Sequence, residues 1–411
     1  MTNTRAWVWP FAALQIGQTI ARFGGAFSNF ALIWWVAQTY GTATSLATGV
    51  LISMVPGIVL GPLIGTVVDR FDRRWFIGMS NMVYALSAAG LYMLAHFEML
   101  ALWHLYVVMF INSLAGQFHF MSLIAATPMM VPSEHLQRVS GIGQLREGAV
   151  AIMAPPVGAL LLELIHLEGI LLLEVVTGLT AAISLLWVAI PRPPADATTV
   201  QSNVWGDLRA GFRYLRAWPG LMALLGVAMI LNLLFNPAFS LMPLLVKDYL
   251  RGGAVQLAWM EAALGIGMIV GSVVLGVWGG FSRRLHTMLV GVLGMGIGAI
   301  VLGRIGHDGL YIGIGAMALC GFVQPLTNGP LMAIIQSKVA PDMQGRIMGF
   351  MGSLSGAISP IGLLLAGPIA DRFGLQIWYL AAGAASLAVI PLMLGWSTLR
   401  TIEEQMQPEA A

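Results

Sequence analysis

The chain has 411 residues, 58% of them hydrophobic and only 9% Asp, Glu, Lys or Arg, with a formal net charge of +2. Soluble domains carry roughly 25% charged residues, so this chain cannot cover a water-facing surface, and its outer face must meet lipid. The near balance of charge gives no reason to expect a nucleic-acid partner, and the single cysteine, Cys320, excludes an internal disulfide and a Cys-rich metal site.

A spanning helix needs about 20 apolar residues. Such runs fall at 9–37, 45–68, 75–96, 101–128, 139–165, 169–190, 220–249, 255–279, 286–304, 309–337, 346–371 and 376–397. They are apolar all round rather than alternating, so they read as helices and not as the strands of a membrane barrel. The first run follows Arg5, is too long for a signal-peptide core and contains Arg22, so it reads as a retained span. Loops are short except for one break that starts at Pro191, Pro193 and Pro194. The expected organisation is an N-terminal six-helix bundle at 1–190, a cytoplasmic linker at 191–219, and a C-terminal six-helix bundle with a short tail at 220–411. Within the linker, Leu208, Phe212 and Leu215 share one helical face, and Arg209, Arg213 and Arg216 share another. With Asn203 as a cap and Pro219 as a stop, this reads as an amphipathic helix lying on the inner membrane surface.

Cationic residues cluster on cytoplasmic loops of membrane proteins. With the N-terminus inside, fourteen basic residues are cytoplasmic: Arg5, Arg70, Arg73, Arg74, Arg138, Arg192, Arg209, Arg213, Arg216, Arg283, Arg284, Lys338, Arg346 and Arg400. Four fall outside, Lys247, Arg251, Arg304 and Arg372, and two lie within spans, Arg22 and Arg146. That asymmetry predicts both termini in the cytoplasm.

The halves echo each other. Val131-Pro132, Arg138 and Pro156-Val-Gly158 are matched by Pro341, Arg346 and Pro360-Ile-Gly362. Gly65 with Arg73 and Arg74 is matched by Gly276 with Arg283 and Arg284. Both halves start inside, so the duplication is parallel, about an axis along the membrane normal.

The segment Gly65-Thr-Val-Val-Asp69-Arg70-Phe-Asp72-Arg73-Arg74, between spans 2 and 3, resembles the signature loop of the major facilitator superfamily. Asp72 stands where most members have Gly, as in the macrolide-efflux branch. Phe118-His119, Thr127-Pro128, Pro237, Pro243, Glu261 and Ala370-Asp371-Arg372 extend the likeness to that branch nearly end to end. The resemblance implies an all-α fold of twelve transmembrane helices in two six-helix bundles. It also implies a monomer in the bacterial cytoplasmic (inner) membrane. The implied function is proton-coupled export of bulky amphiphilic small molecules, macrolide-like drugs, by alternating access. Relatives of this kind also suggest a siderophore, lipid or other metabolite as cargo. The energy source would be the proton gradient, with no cofactor; there is no Gly-x-x-x-x-Gly-Lys-Ser/Thr phosphate loop. An integral-membrane enzyme is disfavoured, because His96, His104, His119, His135, His166, His286 and His307 are scattered singly.

Several residues are expected to carry function. Gly65, Asp69, Arg70, Asp72, Arg73 and Arg74, with Arg283 and Arg284 in the second copy, would form a cytoplasmic latch or anchor the topology. Gly148, Pro155, Pro156 and Gly158 in span 5, with Pro360 and Gly362 in span 11, would let helices kink and pack closely; the span 5 stretch resembles the superfamily's antiporter motif, with Ala154 in place of a Gly. A charge in the centre of a span costs roughly 2.5–3.5 kcal/mol on insertion scales. Arg22, Arg146 and Glu147 therefore stand out, and an Arg22–Glu147 pair would cancel the cost. Glu261, Glu174 and His119 complete the proton-coupling candidates, each with a packing or hydrogen-bonding role as the alternative. Gln18, Asn29, Asn232, Asn236, Gln324 and Asn328 are candidates for the substrate cavity.

Overall fold

The computed structural model describes residues 7–188, 213, 216, 218–339 and 341–395. The linker helix expected over 203–216 lies outside them, apart from Arg213 and Arg216, which are helical. The described residues are almost wholly helical. In chain order the long helices are α1 (Val8–Thr39), α2 (Ala43–Arg70), α3 (Arg73–His96), α4 (Leu102–Met130), α5 (Leu136–Ser184), α6 (Pro219–Ser240), α7 (Ala254–Trp278), α8 (Arg284–Arg304), α9 (Leu310–Lys338), α10 (Pro341–Phe373) and α11 (Leu375–Gly395).

Local chemistry sets the ends. The Asp72 side chain accepts from the Arg74 backbone N–H at 3.0 Å and caps α3, satisfying one of the donors a helix start leaves open. Pro219 opens α6 in the first turn, where its missing N–H costs nothing. Gly279 ends α7 at φ +79°, a left-handed conformation that a side chain disfavours. Past Ser240 the chain turns through Met242–Leu244 and a π-helical turn at Leu245–Tyr249 before α7.

Ten helical stretches among the described residues are long and apolar enough to cross a membrane. One of them, Ser133–Trp187, has 55 residues, more than twice the ~20 a span needs. It divides at His166, whose backbone is left-handed (φ +56°), close to the boundary expected between spans 5 and 6. α1 is not among the ten: Gln15, Gln18, Arg22 and Asn29 make it less apolar. With α1 added and α5 counted as two, the described residues hold twelve spans.

The chain forms two compact units. The first comprises Met1–Thr39 and Gly49–Val200, the second Tyr40–Thr48 and Gln201–Ala411. In the first, α1 and α3 pack on α5, and α3 packs on α4; in the second, α6 packs on α10 and α11, and α8 on α9 and α11. These pairs match by ordinal position, in keeping with the sequence repeat, and in the second unit α7 also packs closely on α9. The buried clusters repeat too. Phe11, Leu14, Ile77, Met130 and Leu185 meet in the first unit, and Leu221, Leu224, Leu285, Ile334 and Met393 in the second. Because lipid is as apolar as these side chains, such clusters hold helices together by close packing rather than by release from water.

One close helix approach, between α6 and α10, has a cause in the sequence. Pro237 has no N–H, so the Leu233 carbonyl one turn earlier in α6 loses its donor. Gly362 of α10 lies against that carbonyl and 3.1 Å from the Pro237 ring, measured from where its Cβ would be; a Cβ there would collide with the Leu233 oxygen. Trp378 Nε1 donates to the Leu234 carbonyl at 2.9 Å and the Tyr379 hydroxyl to the Ala238 carbonyl at 2.6 Å. The loosened turn is thus held by donors from α11. In the first unit, Gly158 of α5 occupies the matching place, with the Phe30 ring of α1 3.2 Å from its would-be Cβ.

Candidate functional site: a polar cluster in the first unit

Gln15, Gln18, Arg22, Gly25 and Asn29 follow one another at helical spacing and form a polar stripe along α1. The rest of the first unit brings its polar side chains to this stripe. The Glu147 carboxylate of α5 is shared by two guanidinium groups. Its Oε2 accepts from Arg22 Nε and Nη2, both at 3.4 Å. Its Oε1 accepts from Arg146 Nε at 3.2 Å and Nη2 at 3.0 Å. Arg146 Nη1 donates to Gln15 Oε1 at 2.7 Å, which fixes that guanidinium between α5 and α1. Arg22 and Glu147 are 58% and 44% exposed at the side chain, Arg146 only 23%.

One turn away, Gln18 is the hub of a second group and is only 3% exposed. Its Oε1 takes Asn81 Nδ2 of α3 at 3.1 Å and meets His119 Nε2 of α4 at 2.7 Å. An amide oxygen only accepts, so this contact is a hydrogen bond in the His119 tautomer with its proton on Nε2. The Tyr84 ring stands edge-on to His119 at 6.4 Å. Gln18 Nε2 is buried and has no partner among the described residues. Farther along the stripe, Glu174 of α5 is 8% exposed, and its Oε1 lies 3.7 Å from where a Cβ of Gly25 would be. It is not in ion-pair contact with either guanidinium among the described residues.

The second unit is different. Glu261 on α7 has no hydrogen-bond or ion-pair partner among the described residues. Asn236 Nδ2 donates to Ser359 Oγ at 2.7 Å, joining α6 to α10. Asn232 Nδ2 returns to its own helix, at the Ala228 carbonyl, 2.9 Å away. Gln324 Oε1 is buried without a partner among the described residues, while Asn328 in the second unit and Asn29 in the first are exposed.

The arginines expected at the cytoplasmic latch make contacts inside their own units. Arg73 reaches Met129 Sδ at the end of α4, and Arg74 Nη2 donates to the Leu186 carbonyl at 3.1 Å. Arg284 Nη1 donates to the Ala333 carbonyl at 3.2 Å and to Ser337 Oγ at 2.7 Å, at the end of α9. In both units an arginine thus ties the start of the third span to the end of the fourth. The side chains of Asp69 and Arg70 lie outside the described residues, and Gly65 and Gly148 have open space where a Cβ would be. Pro155 is buried in α5, and Pro360 lies within α10, two residues before Gly362.

Sequence reasoning does not single out Asn81 or Ser359, and it names Asp371 only within the family likeness at Ala370-Asp371-Arg372, not as a cap. The first two carry a usable signal, a polar group inside an apolar run. Asp371 carries none, because an acid at the end of a span reads as an interface residue.

Comparison with known proteins agrees with this architecture. Residues 14–363 match the model of the Major Facilitator Superfamily. Macrolide efflux protein A of Streptococcus pyogenes is 30% identical over 95% of this chain and 96% of its own length. Multidrug efflux pump Tap of Mycolicibacterium fortuitum is 26% identical over 99% of this chain and its full length. Among solved structures, a bacterial homologue of the iron transporter ferroportin superposes with a TM-score of 0.73 at 15% identity, over 95% of this chain and 99% of that one. All three are named as efflux proteins or transporters. A helical bundle with so many apolar spans works in a lipid bilayer as a multi-pass membrane protein. With its signature loop, its repeated six-span units and a family match across most of its length, the chain belongs to the major facilitator superfamily.

Proposed function

We propose that this protein is a proton-coupled secondary exporter of bulky amphiphilic small molecules, macrolide-like drugs among them, working by alternating access in a bacterial cytoplasmic membrane. Export is supported by end-to-end similarity to two proteins named for efflux. The observation that carries the coupling is Glu261, a carboxyl group inside the apolar α7 with no cation beside it among the described residues. Taking up or giving off one proton there changes the charge of its surroundings by a full unit, with no neighbouring cation to compensate. Such a group can load a proton from the outer side and release it inside while substrate moves the other way. Glu174, buried and unpaired with the arginines, is the second such group. Glu147 is different: fixed by two guanidiniums, it keeps the polar cluster together.

In the same reading the energy source is the proton gradient, without a cofactor, and both termini face the cytoplasm, as the basic residues suggest. Asp69 and Arg70 would close the cytoplasmic side in one state and release it in the other, while Arg73, Arg74 and Arg284 hold the third spans in place. The test is expression in a bacterial host stripped of its own pumps. A raised inhibitory concentration for macrolides, lost when a protonophore collapses the gradient, is the expected result. Unchanged susceptibility across a panel of macrolides, dyes and cationic amphiphiles would overturn it.

A further inference from the structure

In the second unit, Pro219, Met222, Gly226 and Ile230 recur every three or four residues and so share one face of α6. Leu221, Leu224 and Leu225 lie on its other side, buried in the core of the unit. The first face and Leu392 and Met393 of α11 bound a groove of about 550 Å³. Its lining is apolar except for one side chain, Arg216, at the Pro219 end. Gly226 keeps the groove open: nothing lies within 4 Å of where its Cβ would be. Arg216 is exposed and has no hydrogen-bond or ion-pair partner among the described residues.

From Pro219 to Ile230 the groove follows α6 for ~17 Å, at a rise of about 1.5 Å per residue. That is about half of the ~30 Å hydrocarbon core, the depth of one leaflet. Arg216 stands at the end that the basic residues of the sequence assign to the cytoplasm. An open groove on a spanning helix forfeits dispersion contacts unless something fills it, and an acyl chain has the length and the apolar character to do so. A guanidinium at the mouth suits the phosphate of a headgroup. A zwitterionic headgroup would bring a second cation up to an arginine that has no acid beside it among the described residues, so an anionic lipid fits better.

We infer that this groove is a binding site for an anionic glycerophospholipid of the cytoplasmic leaflet, with one acyl chain laid between α6 and α11 over Gly226 and the headgroup phosphate on Arg216. The site lies within the second unit and is independent of proton coupling and of the cargo.

The test uses the purified full-length protein in phosphatidylcholine liposomes and two photoreactive lipids that carry the same diazirine-bearing acyl chain. One is a phosphatidylglycerol, the other a phosphatidylcholine. Mass spectrometry of the digested protein reads labelling within 219–230 and 389–393. Wild type should be labelled there about fivefold more by the phosphatidylglycerol probe, the ratio expected of one basic residue meeting an anionic headgroup. Arg216→Gln should bring the ratio near one. Gly226→Leu, which puts a side chain into the open space, should cut labelling by both probes several-fold. Equal labelling of wild type by the two probes, or an unchanged ratio in Arg216→Gln, would overturn the site. Undiminished labelling of a folded Gly226→Leu would overturn it too; Arg216→Gln, outside the packed spans, decides the matter if Gly226→Leu does not fold. Labelling that a macrolide displaces and excess unlabelled phosphatidylglycerol does not would give the groove to cargo and overturn the lipid assignment.

Discussion

Asp371 holds Thr44 by two hydrogen bonds: its Oδ2 accepts from the Thr44 backbone N–H at 3.0 Å and from the Thr44 hydroxyl at 2.5 Å. Its Oδ1 takes the Ala43 N–H at 2.6 Å, and Thr42 Oγ1 takes the Ser45 N–H at 3.3 Å. A helix start leaves four backbone donors open; the first three of α2 are filled in this way, and a negative charge sits at the positive end of the helix. Asp371→Ala should cost about 0.5–2 kcal/mol, the usual loss for a removed cap. The corresponding measurement is hydrogen exchange of a peptide covering residues 43–46. It should quicken in the Ala variant and to a smaller degree in Asp371→Asn, which keeps an acceptor but loses the charge. Exchange identical to wild type in Asp371→Ala would contradict the cap.

Removing Glu147 should harm the first unit more than removing Arg22. Glu147→Gln leaves two guanidiniums with no counter-charge, whereas Arg22→Gln leaves a one-to-one pair of Arg146 and Glu147. Leaving a charged group without its partner costs about 1–3 kcal/mol. Thermal unfolding of the detergent-purified variants, followed by tryptophan fluorescence, should show the larger drop in Tm for Glu147→Gln. The reverse order would mean that the three side chains do not act as one cluster.

The two matching glycines should differ in tolerance. At Gly362 a methyl group meets the Leu233 backbone oxygen and the Pro237 ring, neither of which can step aside. At Gly158 it meets the Phe30 ring at 3.2 Å, and a side chain can shift by a few tenths of an ångström. Overpacking a tight contact costs about 1–3 kcal/mol. Gly362→Ala should therefore lower Tm clearly, and Gly158→Ala by less. Equal tolerance at both positions would contradict the close approach of α6 and α10.

Much of the fold is legible in the sequence because the bilayer imposes it. Length, apolarity and the placement of Arg residues fix the spans, and the echo of Pro156–Gly158 in Pro360–Gly362 reappears as two tight helix contacts in the same ordinal place. The charge penalty in lipid similarly draws attention to Arg22 and Glu147, which lie 125 residues apart and meet at 3.4 Å. What the sequence does not carry is the rotation of each helix about its axis. Gln18, Asn81 and His119 converge from three helices, and no spacing within any one of them says so. Asp371 and Thr44 lie 327 residues apart, and neither stands in a pattern that names the other. Asp72 shows a different limit. The signature loop draws the eye to its charge, whereas its visible work is to cap α3.

The central claim is that export runs on protons carried by Glu261. The most direct measurement is efflux of a fluorescent amphiphile from proteoliposomes with an imposed pH gradient, comparing wild type with Glu261→Gln at equal protein content. Efflux should follow the gradient in wild type, vanish when the gradient is collapsed, and fall in the Gln variant to the level of protein-free liposomes while binding of the amphiphile persists. Gradient-driven efflux undiminished in Glu261→Gln, or wild-type efflux indifferent to the gradient, would contradict the account.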